Sequence, residues 1–302
     1  MMTQGADNEL NAISPHPGGE AILPTVSVII PTLNEAANLP HVFARIPHWV
    51  SEVLVVDGHS TDGTLEVARA SWPNSHIVTE ERRRAGGMAP PGGQDRRGHG
   101  MVLRLATQEA RGKGAALRTG LALARGDIIV LLDADGSTDP AEIPLFVGAL
   151  LGGAHLVKGS RFLQGGGTAD MTLYRRCGNG VFVWLVRLLF GSRYSDLCYG
   201  YNAFWAWTAP LLHLTADGFE IETMLNVRAL RAGLKVAEVP SFETPACTAR
   251  AGSKRFRMAG ASSRRLRASG SRCWQTARPA GSGTGARQRR PRAQPWCRAG
   301  WP

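Results

Sequence analysis

Long apolar segments are missing from this chain of 302 residues. No apolar run reaches the ~20 residues that a membrane-spanning helix needs, and the best stretch, residues 181–190, is short and contains Arg187. The N-terminal residues include acids and prolines instead of a basic segment followed by an apolar one, so we expect no signal peptide. We therefore expect a cytoplasmic protein that is at most peripheral on the cytoplasmic face of the membrane.

Cysteine is also scarce, and its spacing excludes two common kinds of site. The chain has five cysteines, and no two of them form a C-x-x-C pair. The sequence therefore lacks the ligand spacing of a zinc ribbon and the motif of a dithiol redox protein. Cys177 and Cys198 are expected to be reduced thiols, as is usual for a cytosolic protein.

Acidic residues are absent from the C-terminal part. From Thr244 to the end, the chain holds fourteen Lys and Arg residues and no Asp or Glu, which leaves 21 basic and 24 acidic residues before it. The net charge of +11 therefore describes a tail and not the folded body. We predict one domain over residues 25–243, a flexible N-terminal arm over 1–24, and a disordered, basic, low-complexity tail over 244–302.

The basic tail leaves two further hypotheses open. Its arginines, with Trp274 and Trp296, could grip phosphates and stack bases. They have no periodicity, however, and the body is mildly acidic, so we expect no specific nucleic-acid partner. The abrupt change in composition is also typical of a GC-rich gene translated in the wrong reading frame. An intact mass that matches the printed C-terminus would overturn this second hypothesis.

Strand-like and helix-like segments alternate along the predicted domain. β-branched apolar runs predict buried strands, and segments with apolar residues on one face predict helices. The predicted strands are 26–30, 52–56, 76–78, 128–132, 154–157 and 235–240, and the predicted helices are 35–46, 64–71, 115–125, 140–151, 174–190 and 220–232. Residues 80–108 interrupt the pattern with Arg, Gly and Pro clusters, and we predict a loop insertion there. The alternation predicts an α/β fold with a mostly parallel central sheet flanked by helices.

The stretch from Gly126 to Pro140 carries the most informative pattern. Its apolar run ends in Asp133 and Asp135, whose side chains point the same way on an extended segment. Two like charges at the carboxyl end of a strand repel each other unless a cation lies between them. Hard divalent cations bind carboxylates together with substrate phosphates. We therefore predict a site for Mg²⁺ or Mn²⁺, with a simple polar turn as the alternative.

Two other places hold charged residues next to predicted helices. Residues 111–114 (RGKG) lack the leading glycine and the Lys-Ser/Thr ending of a kinase-type phosphate loop, so we disfavour that function. Lys113 either approaches a phosphate-bearing ligand or is a solvated loop lysine. Glu220 and Glu222 begin a predicted helix, where one of them faces a ligand pocket or both favour the helix dipole.

Seven motifs in a fixed order carry a resemblance to a known family. They are PTLNE (31–35), VVDGHSTDGT (55–64), RGKGAAL (111–117), LLDADGSTDP (131–140), GSR (159–161), SDLCYGYNAF (195–204) and FEIET (219–223). Together they resemble the family 2 glycosyltransferases with the GT-A nucleotide-diphospho-sugar transferase fold, in particular the dolichyl-phosphate mannose synthase-like enzymes of bacteria. The resemblance implies a nucleotide-diphosphate sugar as donor, a divalent metal and an inverting transfer.

On the donor side, the resemblance implies roles for four residues. Pro31, Asn34 and Glu35 resemble the loop that holds the donor's nucleoside. Asp57 resembles the acid that contacts the base or the ribose. Each acid also has a structural alternative, since Glu35 could favour the start of a helix and Asp57 could form a turn after its strand.

The remaining roles concern the diphosphate and the acceptor. Asp133 and Asp135 match the pair that holds the metal and the donor diphosphate, and Lys113 is expected near the same diphosphate. Arg161 matches an arginine that meets a donor or acceptor phosphate. Asp196 lies in the acceptor-side motif, where it is either a general base or a positioning acid.

The identity of the acceptor follows from the resemblance more than from the residues. A polyprenyl phosphate is expected, with a small soluble acceptor such as a phosphoglycerate as the alternative. A third interpretation is a catalytically impaired relative that binds nucleotide sugar, because the family's usual C-terminal segment is replaced by the basic tail. The predicted helix 174–190 either lies on a membrane surface beside the lipid or is a core helix with basic ends.

Overall fold

A computed structural model describes residues 23–72, 77–80, 101–169, 171–192 and 194–246. The predicted arm, up to residue 22, lies outside the described residues, as does the tail from residue 247 onward. Residues 81–100 of the predicted insertion also lie outside them.

An eight-stranded sheet organises the described residues, in the order β3-β4-β2-β1-β5-β8-β6-β9. Seven of its strands run parallel, and β8 is antiparallel to both of its neighbours. The strands are β1 (Val26–Thr32), β2 (Glu52–Asp57), β3 (Ile77–Glu80), β4 (Val102–Thr107), β5 (Ile128–Leu131), β6 (Leu156–Ser160), β8 (Asn202–Trp205) and β9 (Val236–Pro240). A separate parallel pair joins β7 (Gly167–Thr168) to β10 (Phe242–Glu243). The predicted mostly parallel α/β sheet is confirmed.

Helices cover both faces of the sheet, and the strands between them are buried on both sides. The helices are α1 (Leu39–Phe43), α2 (Thr64–Ser71), α3 (Lys113–Leu123), α4 (Ile143–Leu151), α5 (Leu173–Phe190), α6 (Ala209–Leu212) and α7 (Glu220–Arg231). One core cluster unites the sheet with α1, α2 and α4, and a second unites the opposite face with α3 and α7. This two-sided burial explains the unbroken apolar runs in the sequence.

The predicted insertion at 80–108 is wrong at its C-terminal end, because Val102–Thr107 forms β4 between β2 and β3. Arg104 interrupts the apolar run of β4, so the sequence pattern does not indicate a buried strand there. Its side chain is nevertheless buried, since it donates to Glu52 at 3.1 Å and to the carbonyl oxygen of Leu123. A buried ion pair thus replaces the apolar residue that the pattern requires.

Two predicted helices also need correction. Residues 35–38 form a turn in which the Glu35 carbonyl accepts from Asn38 N–H, and α1 begins only at Leu39, with Pro40 in its first turn. α5 has the predicted length but is not a core helix, since only Asn179 and Val186 are buried in it. Within the part of the chain that the structure describes, no helix combines the length and apolar character needed to cross a bilayer.

Candidate active site

The predicted site residues gather at the carboxyl edge of the sheet. Strands β4, β2, β1 and β5 are consecutive neighbours, and the loops that follow them bring Gln108, Asp57, Asn34 and Asp133 to this edge in that order. Because β8 runs antiparallel, its N-terminal end reaches the same edge and places Gly200 beside Asp133. Polar groups from distant parts of the sequence therefore line one edge of the sheet.

The loops after β1 and β2 are tied to each other by Asn34. Its backbone N–H donates to Ser60 Oγ at 2.8 Å, and its side-chain oxygen accepts from Thr61 N–H at 2.8 Å. Its φ of 57° is left-handed, which an asparagine tolerates better than most residues. Pro31, near the end of β1, is partly buried. The exposed Asn34 is accessible to a ligand at this edge.

Glu35 is buried inside the same loop rather than presented to solvent. Its carboxylate accepts from Asn38 Nδ2 at 2.6 Å, and its backbone N–H donates to Thr64 Oγ1 at 3.1 Å. These contacts connect the loop to the start of α2. These contacts shape the loop, and the predicted part of Glu35 in holding a nucleoside stays a prediction.

Two buried oxygens at the ends of β2 and β4 have no hydrogen-bond partner among the described residues. They are Asp57 Oδ1 and Gln108 Oε1, on side chains that are 4% exposed each. The other Asp57 oxygen accepts from Ser60 N–H at 3.0 Å, and Gln108 N–H donates to the Asp57 carbonyl at 3.0 Å. A buried acceptor without a donor destabilises the fold unless a ligand supplies the hydrogen bond.

A second group, which we call the Lys113 cluster, consists of Lys113, Asp133 and Glu222. Lys113 Nζ lies 2.6 Å from Asp133 Oδ1 and 2.5 Å from Glu222 Oε1. The three side chains are 14%, 28% and 14% exposed, so solvent reaches each of them. Burial alone lowers the pKa of Lys113, but the two carboxylates outweigh burial and raise its pKa above the ordinary value of 10.5. Lys113 is therefore a permanent cation.

The N-terminus of α3 does not form a phosphate-binding loop. The backbone N–H groups of Gly114 and Ala115 donate to the carbonyl of Asp217, at 2.7 Å and 3.3 Å. A Cβ on Gly112 would lie 2.2 Å from the same oxygen, so the two segments are in direct contact. This packing supports the rejection of a kinase-type loop.

Asp135 completes the acidic pair beside the cluster. Its Oδ1 accepts from Ser137 N–H at 2.9 Å, which orients the carboxylate, and the side chain is partly exposed. No group of three His, Cys, Asp or Glu residues suited to a metal occurs in the described ranges. Two accessible carboxylates nevertheless fit a hard divalent cation, because such ions take one or two protein carboxylates and complete their shell with phosphate oxygens and water.

The Arg161 cluster consists of Arg161, Asp196 and Glu243. Arg161 Nε and Nη2 donate to the two Asp196 oxygens at 2.7 Å and 3.0 Å, and its Nη1 donates to Glu243 at 3.0 Å. Asp196 is fully buried and also accepts from Cys198 N–H at 3.2 Å. The guanidinium lies over the Tyr199 ring, 4.8 Å from its centroid. The strand pair β7–β10 places Glu243 in this cluster.

This geometry does not support Asp196 as a general base. Both of its oxygens are engaged by Arg161, and the buried side chain offers no path for a substrate proton. Burial alone lowers the pKa of Arg161, but Asp196 and Glu243 outweigh burial and raise that pKa above its ordinary value. The arrangement supports the alternative, a positioning acid. Arg161 Nη1 and Nη2 each donate one hydrogen to these acids, and the predicted contact of Arg161 with a phosphate stays a prediction.

Three site residues had little or no signal in the sequence. Gln108 sits at the end of the strand that was missed, and Gly200 has no functional group. Glu222 was only one of two candidate acids in its helix. It reaches Lys113 across 109 residues of sequence, a contact that only the packing of α7 against α3 creates.

Comparison with known proteins adds an independent line of evidence. The chain matches the family model described as "Glycosyl transferase family 2" over residues 27–89 and 98–206. Those residues contain Asp57, Lys113, Asp133, Arg161 and Asp196. The match confirms the resemblance that the seven motifs suggested.

Curated relatives show a similar overlap. The undecaprenyl-phosphate mannosyltransferase of Micrococcus luteus is 31% identical over 221 residues, which cover 71% of this chain and 82% of the relative. The polyprenol monophosphomannose synthase of Mycolicibacterium smegmatis is 30% identical over 223 residues, with 70% and 75% covered. Glycosyltransferase AglJ of Haloferax volcanii is 29% identical over 221 residues, and the match spans only 63% of its length.

Among solved structures, glucosyl-3-phosphoglycerate synthase from Mycobacterium tuberculosis has a similar fold. Its complex with Mn²⁺, uridine diphosphate and glucosyl-3-phosphoglycerate has a TM-score of 0.53 and 25% identity, and the match covers 76% of each chain. The complex of the same enzyme with phosphoglyceric acid has a TM-score of 0.51 and 28% identity, with 73% of this chain and 70% of the other covered.

Proposed function

This chain belongs to glycosyl transferase family 2, and we propose that it transfers a sugar, with inversion, from a nucleotide-diphosphate sugar to a polyprenyl phosphate. One observation carries the proposal: nucleoside-type, phosphate-type and acceptor-side groups follow one another along a single sheet edge. Gln108 and Asp57 lie at its β4–β2 end, the Lys113 cluster lies beside β5, and the Arg161 cluster lies beyond β8. A donor and an acceptor laid along this edge meet between the two clusters.

The nucleoside is the ligand that the β4–β2 end fits. Asp57 Oδ1 and Gln108 Oε1 need hydrogen-bond donors, and nucleobase N–H groups and ribose hydroxyls are such donors. Asn34 on the adjoining loop is exposed beside them. The solved structures with uridine diphosphate, at about a quarter identity, support the same ligand class.

The diphosphate and its metal are assigned to the acidic pair. Asp133 and Asp135 would hold Mg²⁺ or Mn²⁺, which neutralises charge on the diphosphate leaving group as a Lewis acid. Lys113 donates to a phosphate oxygen from the other side, since its charge persists at working pH. Glu222 keeps the Lys113 ammonium at this place through their 2.5 Å contact. The Mn²⁺ complex of the structural neighbour supports a divalent cation here.

The reaction is a single displacement. An acceptor oxygen forms a bond to the anomeric carbon of the sugar while the bond from that carbon to the diphosphate breaks, and the electron pair leaves with the diphosphate. A polyprenyl phosphate is already ionised, so it needs no general base. The engagement of Asp196 by Arg161 therefore does not hinder this acceptor, whereas it would remove the predicted base for a hydroxyl acceptor.

The exposed face of α5 is the second reason to favour a lipid acceptor. Nine large apolar residues of this helix are exposed: Leu173, Tyr174, Val181, Phe182, Trp184, Leu185, Leu188, Leu189 and Phe190. The helix has no acidic residue and carries the exposed Arg175, Arg176 and Arg187. An apolar face with basic residues favours an anionic membrane surface. The relatives named for polyprenol and undecaprenyl-phosphate support the same acceptor class.

A small soluble acceptor is the second candidate function. The structural neighbour binds phosphoglyceric acid, and its fold matches this chain. Transfer to a hydroxyl of such an acceptor requires a base, and Glu222 is the accessible carboxylate of the Lys113 cluster that could take the proton. The exposed face of α5 has no role in this alternative.

A panel of donors and acceptors tests the proposal. Purified protein is incubated with UDP- and GDP-sugars, with and without Mg²⁺ or Mn²⁺, and with polyprenyl phosphate or phosphoglycerate. We expect metal-dependent transfer from one donor to the polyprenyl phosphate, and no transfer by Asp135→Ala. Transfer only to phosphoglycerate would establish the second candidate. Metal-dependent nucleotide binding without transfer would identify an impaired relative, and no binding at all would overturn the proposal.

Membrane contact is tested separately with vesicles that contain anionic lipid. We expect wild-type protein to float with the vesicles, and the double variant Trp184→Glu/Leu188→Glu to lose this association. Leu145→Glu is the matched control, because Leu145 is a leucine on α4 that is 51% exposed outside the α5 face. Equal flotation of all three proteins would exclude α5 as the membrane surface.

A further inference from the structure

A buried lysine that the reaction does not use lies in the middle of β6. Lys158 is fully buried, and its Nζ donates to the carbonyl oxygen of Tyr199 at 2.6 Å. Burial lowers its pKa, while three carboxylates from different elements oppose that change, namely Asp196, Glu222 and Glu238. Burying an amine is costly unless it is hydrogen-bonded, and the Tyr199 carbonyl supplies that bond here.

The neighbouring strand supplies a second side chain with the same task. Asn202 on β8 is the register partner of Lys158, and its Nδ2 donates to the carbonyl oxygen of Gly200 at 2.9 Å. Two adjacent side chains thus hold two consecutive carbonyls. Both backbone carbonyls of the segment Tyr199–Gly200 are therefore held from within the sheet.

Gly200 lies in direct contact with the Lys113 cluster. A Cβ at this position would lie 2.6 Å from Asp133 Oδ2, 3.0 Å from Glu222 Oε1 and 3.1 Å from Lys113 Nζ. Only a glycine leaves room for all three charged groups. If the Tyr199–Gly200 segment moved toward the Lys113 cluster, it would displace these charged groups. If the segment moved away, it would leave a gap beside them.

Tyr199 connects the same segment to the Arg161 cluster. Its ring lies under the Arg161 guanidinium, and its hydroxyl is 2.9 Å from Ser241 Oγ. The segment Tyr199–Gly200 consequently touches both charged clusters, one through a side chain and the other through bare backbone. Its placement sets the spacing between the donor side and the acceptor side.

We propose that Lys158 and Asn202 are positioning residues that hold the Tyr199–Gly200 backbone against the Lys113 cluster and thereby place Asp133 and Glu222 for the donor diphosphate. The inference rests on the proposed function for its catalytic consequence. The structural claim, that Lys158 and Asn202 set the positions of Gly200 and Asp133, does not depend on that function.

The test compares Lys158→Met, Asn202→Ala and Gly200→Ala with wild type. Lys158→Met keeps an unbranched side chain and removes the amine that donates to the Tyr199 carbonyl. We expect each variant to raise the Kd for metal–nucleotide and to lower kcat, each by about tenfold per folded molecule, which is the value of one buried hydrogen bond. We expect the double variant Lys158→Met/Gly200→Ala to lose much less than the product of the two single losses, because both changes act on the same contact.

Arg104→Met is the matched control for loss of a buried cation from a central strand. Arg104 lies with Glu52, away from both clusters. We expect it to lower the free energy of unfolding and to leave turnover per folded molecule unchanged. Should Lys158→Met behave in the same way as Arg104→Met, Lys158 is merely structural and the inference is overturned.

Crystal structures of Asn202→Ala and Lys158→Met separate this inference from the proposed function. We expect Gly200 to move away from Asp133 and the Asp133–Lys113 contact to lengthen, whether or not the protein transfers sugar. An unchanged segment in both variants would overturn the inference even in an active enzyme. A wild-type protein that binds no nucleotide would overturn the proposed function while the displacement still decides the structural claim.

Discussion

The Lys113 cluster and the Arg161 cluster have the same composition, one cation and two carboxylates, but differ in burial. Lys113, Asp133 and Glu222 keep 14–28% of their side chains exposed. In the Arg161 cluster, Glu243 is 18% exposed, but the central pair is desolvated, with Asp196 0% and Arg161 7% exposed. Partly exposed charges can exchange partners with a ligand, whereas a desolvated, bidentate pair holds its geometry. On the proposed function, the difference in burial assigns ligand exchange to the Lys113 cluster and a structural role to the Arg161–Asp196 pair.

Asp196→Asn should produce the largest effect, and the effect should be on stability. The change leaves Arg161 buried without its bidentate partner, which costs about 3–5 kcal/mol of unfolding free energy. Since Asp196 and Glu243 raise the pKa of Arg161 against the effect of burial, this cation keeps its charge, and its contribution to stability, at neutral pH. Urea unfolding at neutral pH measures the loss.

The paired variant Arg161→Met/Asp196→Leu serves as the control for the first prediction. Removing both charges together should restore much of the lost stability, because no uncompensated charge then remains. If Asp196→Asn unfolds at the same urea concentration as wild type, the Arg161 cluster is not the scaffold that the comparison requires.

Asp133→Asn should have the opposite profile. It removes a carboxylate charge that the metal needs, so transfer should fall by about 10²–10³-fold, with little change in unfolding free energy. Steady-state kinetics and urea unfolding on the same sample check both halves. Glu66→Gln, an exposed acid on α2, is the control and should leave both quantities unchanged.

Lys113→Met should weaken donor binding by about 10–100-fold, the value of one charge-assisted hydrogen bond. Lys113→Arg keeps the charge and should recover part of the affinity. Calorimetric titration of the nucleotide with Mn²⁺ measures the difference. Equal affinity in wild type and Lys113→Met would mean that Lys113 only neutralises its two acids.

Glu222→Gln should have the smallest effect with the proposed acceptor. With polyprenyl phosphate we expect about a tenfold loss of kcat, since only the orientation of Lys113 suffers. With a hydroxyl acceptor, loss of a general base would lower kcat by about 10²–10⁴-fold. The size of the loss therefore distinguishes the two candidate functions.

The sequence predicted the parts of the site that follow strands directly. The parallel α/β sheet is confirmed, and the structure places Asp57, Asp133 and Asp135 at its carboxyl edge as the strand ends indicated. Such positions can be predicted because a run of apolar residues indicates a buried strand. The carboxyl ends of parallel strands then meet at one edge of the sheet, where ligands bind.

The sequence could not predict relations between distant segments. The sequence around Asp196 does not indicate that Arg161 donates to both of its carboxylate oxygens. The sequence around Glu222 does not indicate that its carboxylate accepts a hydrogen bond from Lys113. Strand β4 was missed because the buried Arg104 interrupts its apolar run. α5 was ambiguous since its apolar face fits a core and a membrane surface equally well, and only the packing shows that this face is exposed.

The most direct test of the central claim is a calorimetric titration of UDP and GDP, with Mn²⁺, into wild-type protein and into Asp135→Ala. We predict that one nucleotide binds wild-type protein saturably, that this binding requires Mn²⁺, and that Asp135→Ala does not bind it. Equal binding by both proteins, or no binding by either, would contradict the assignment of the sheet edge at Asp133 and Asp135 to a metal–diphosphate site.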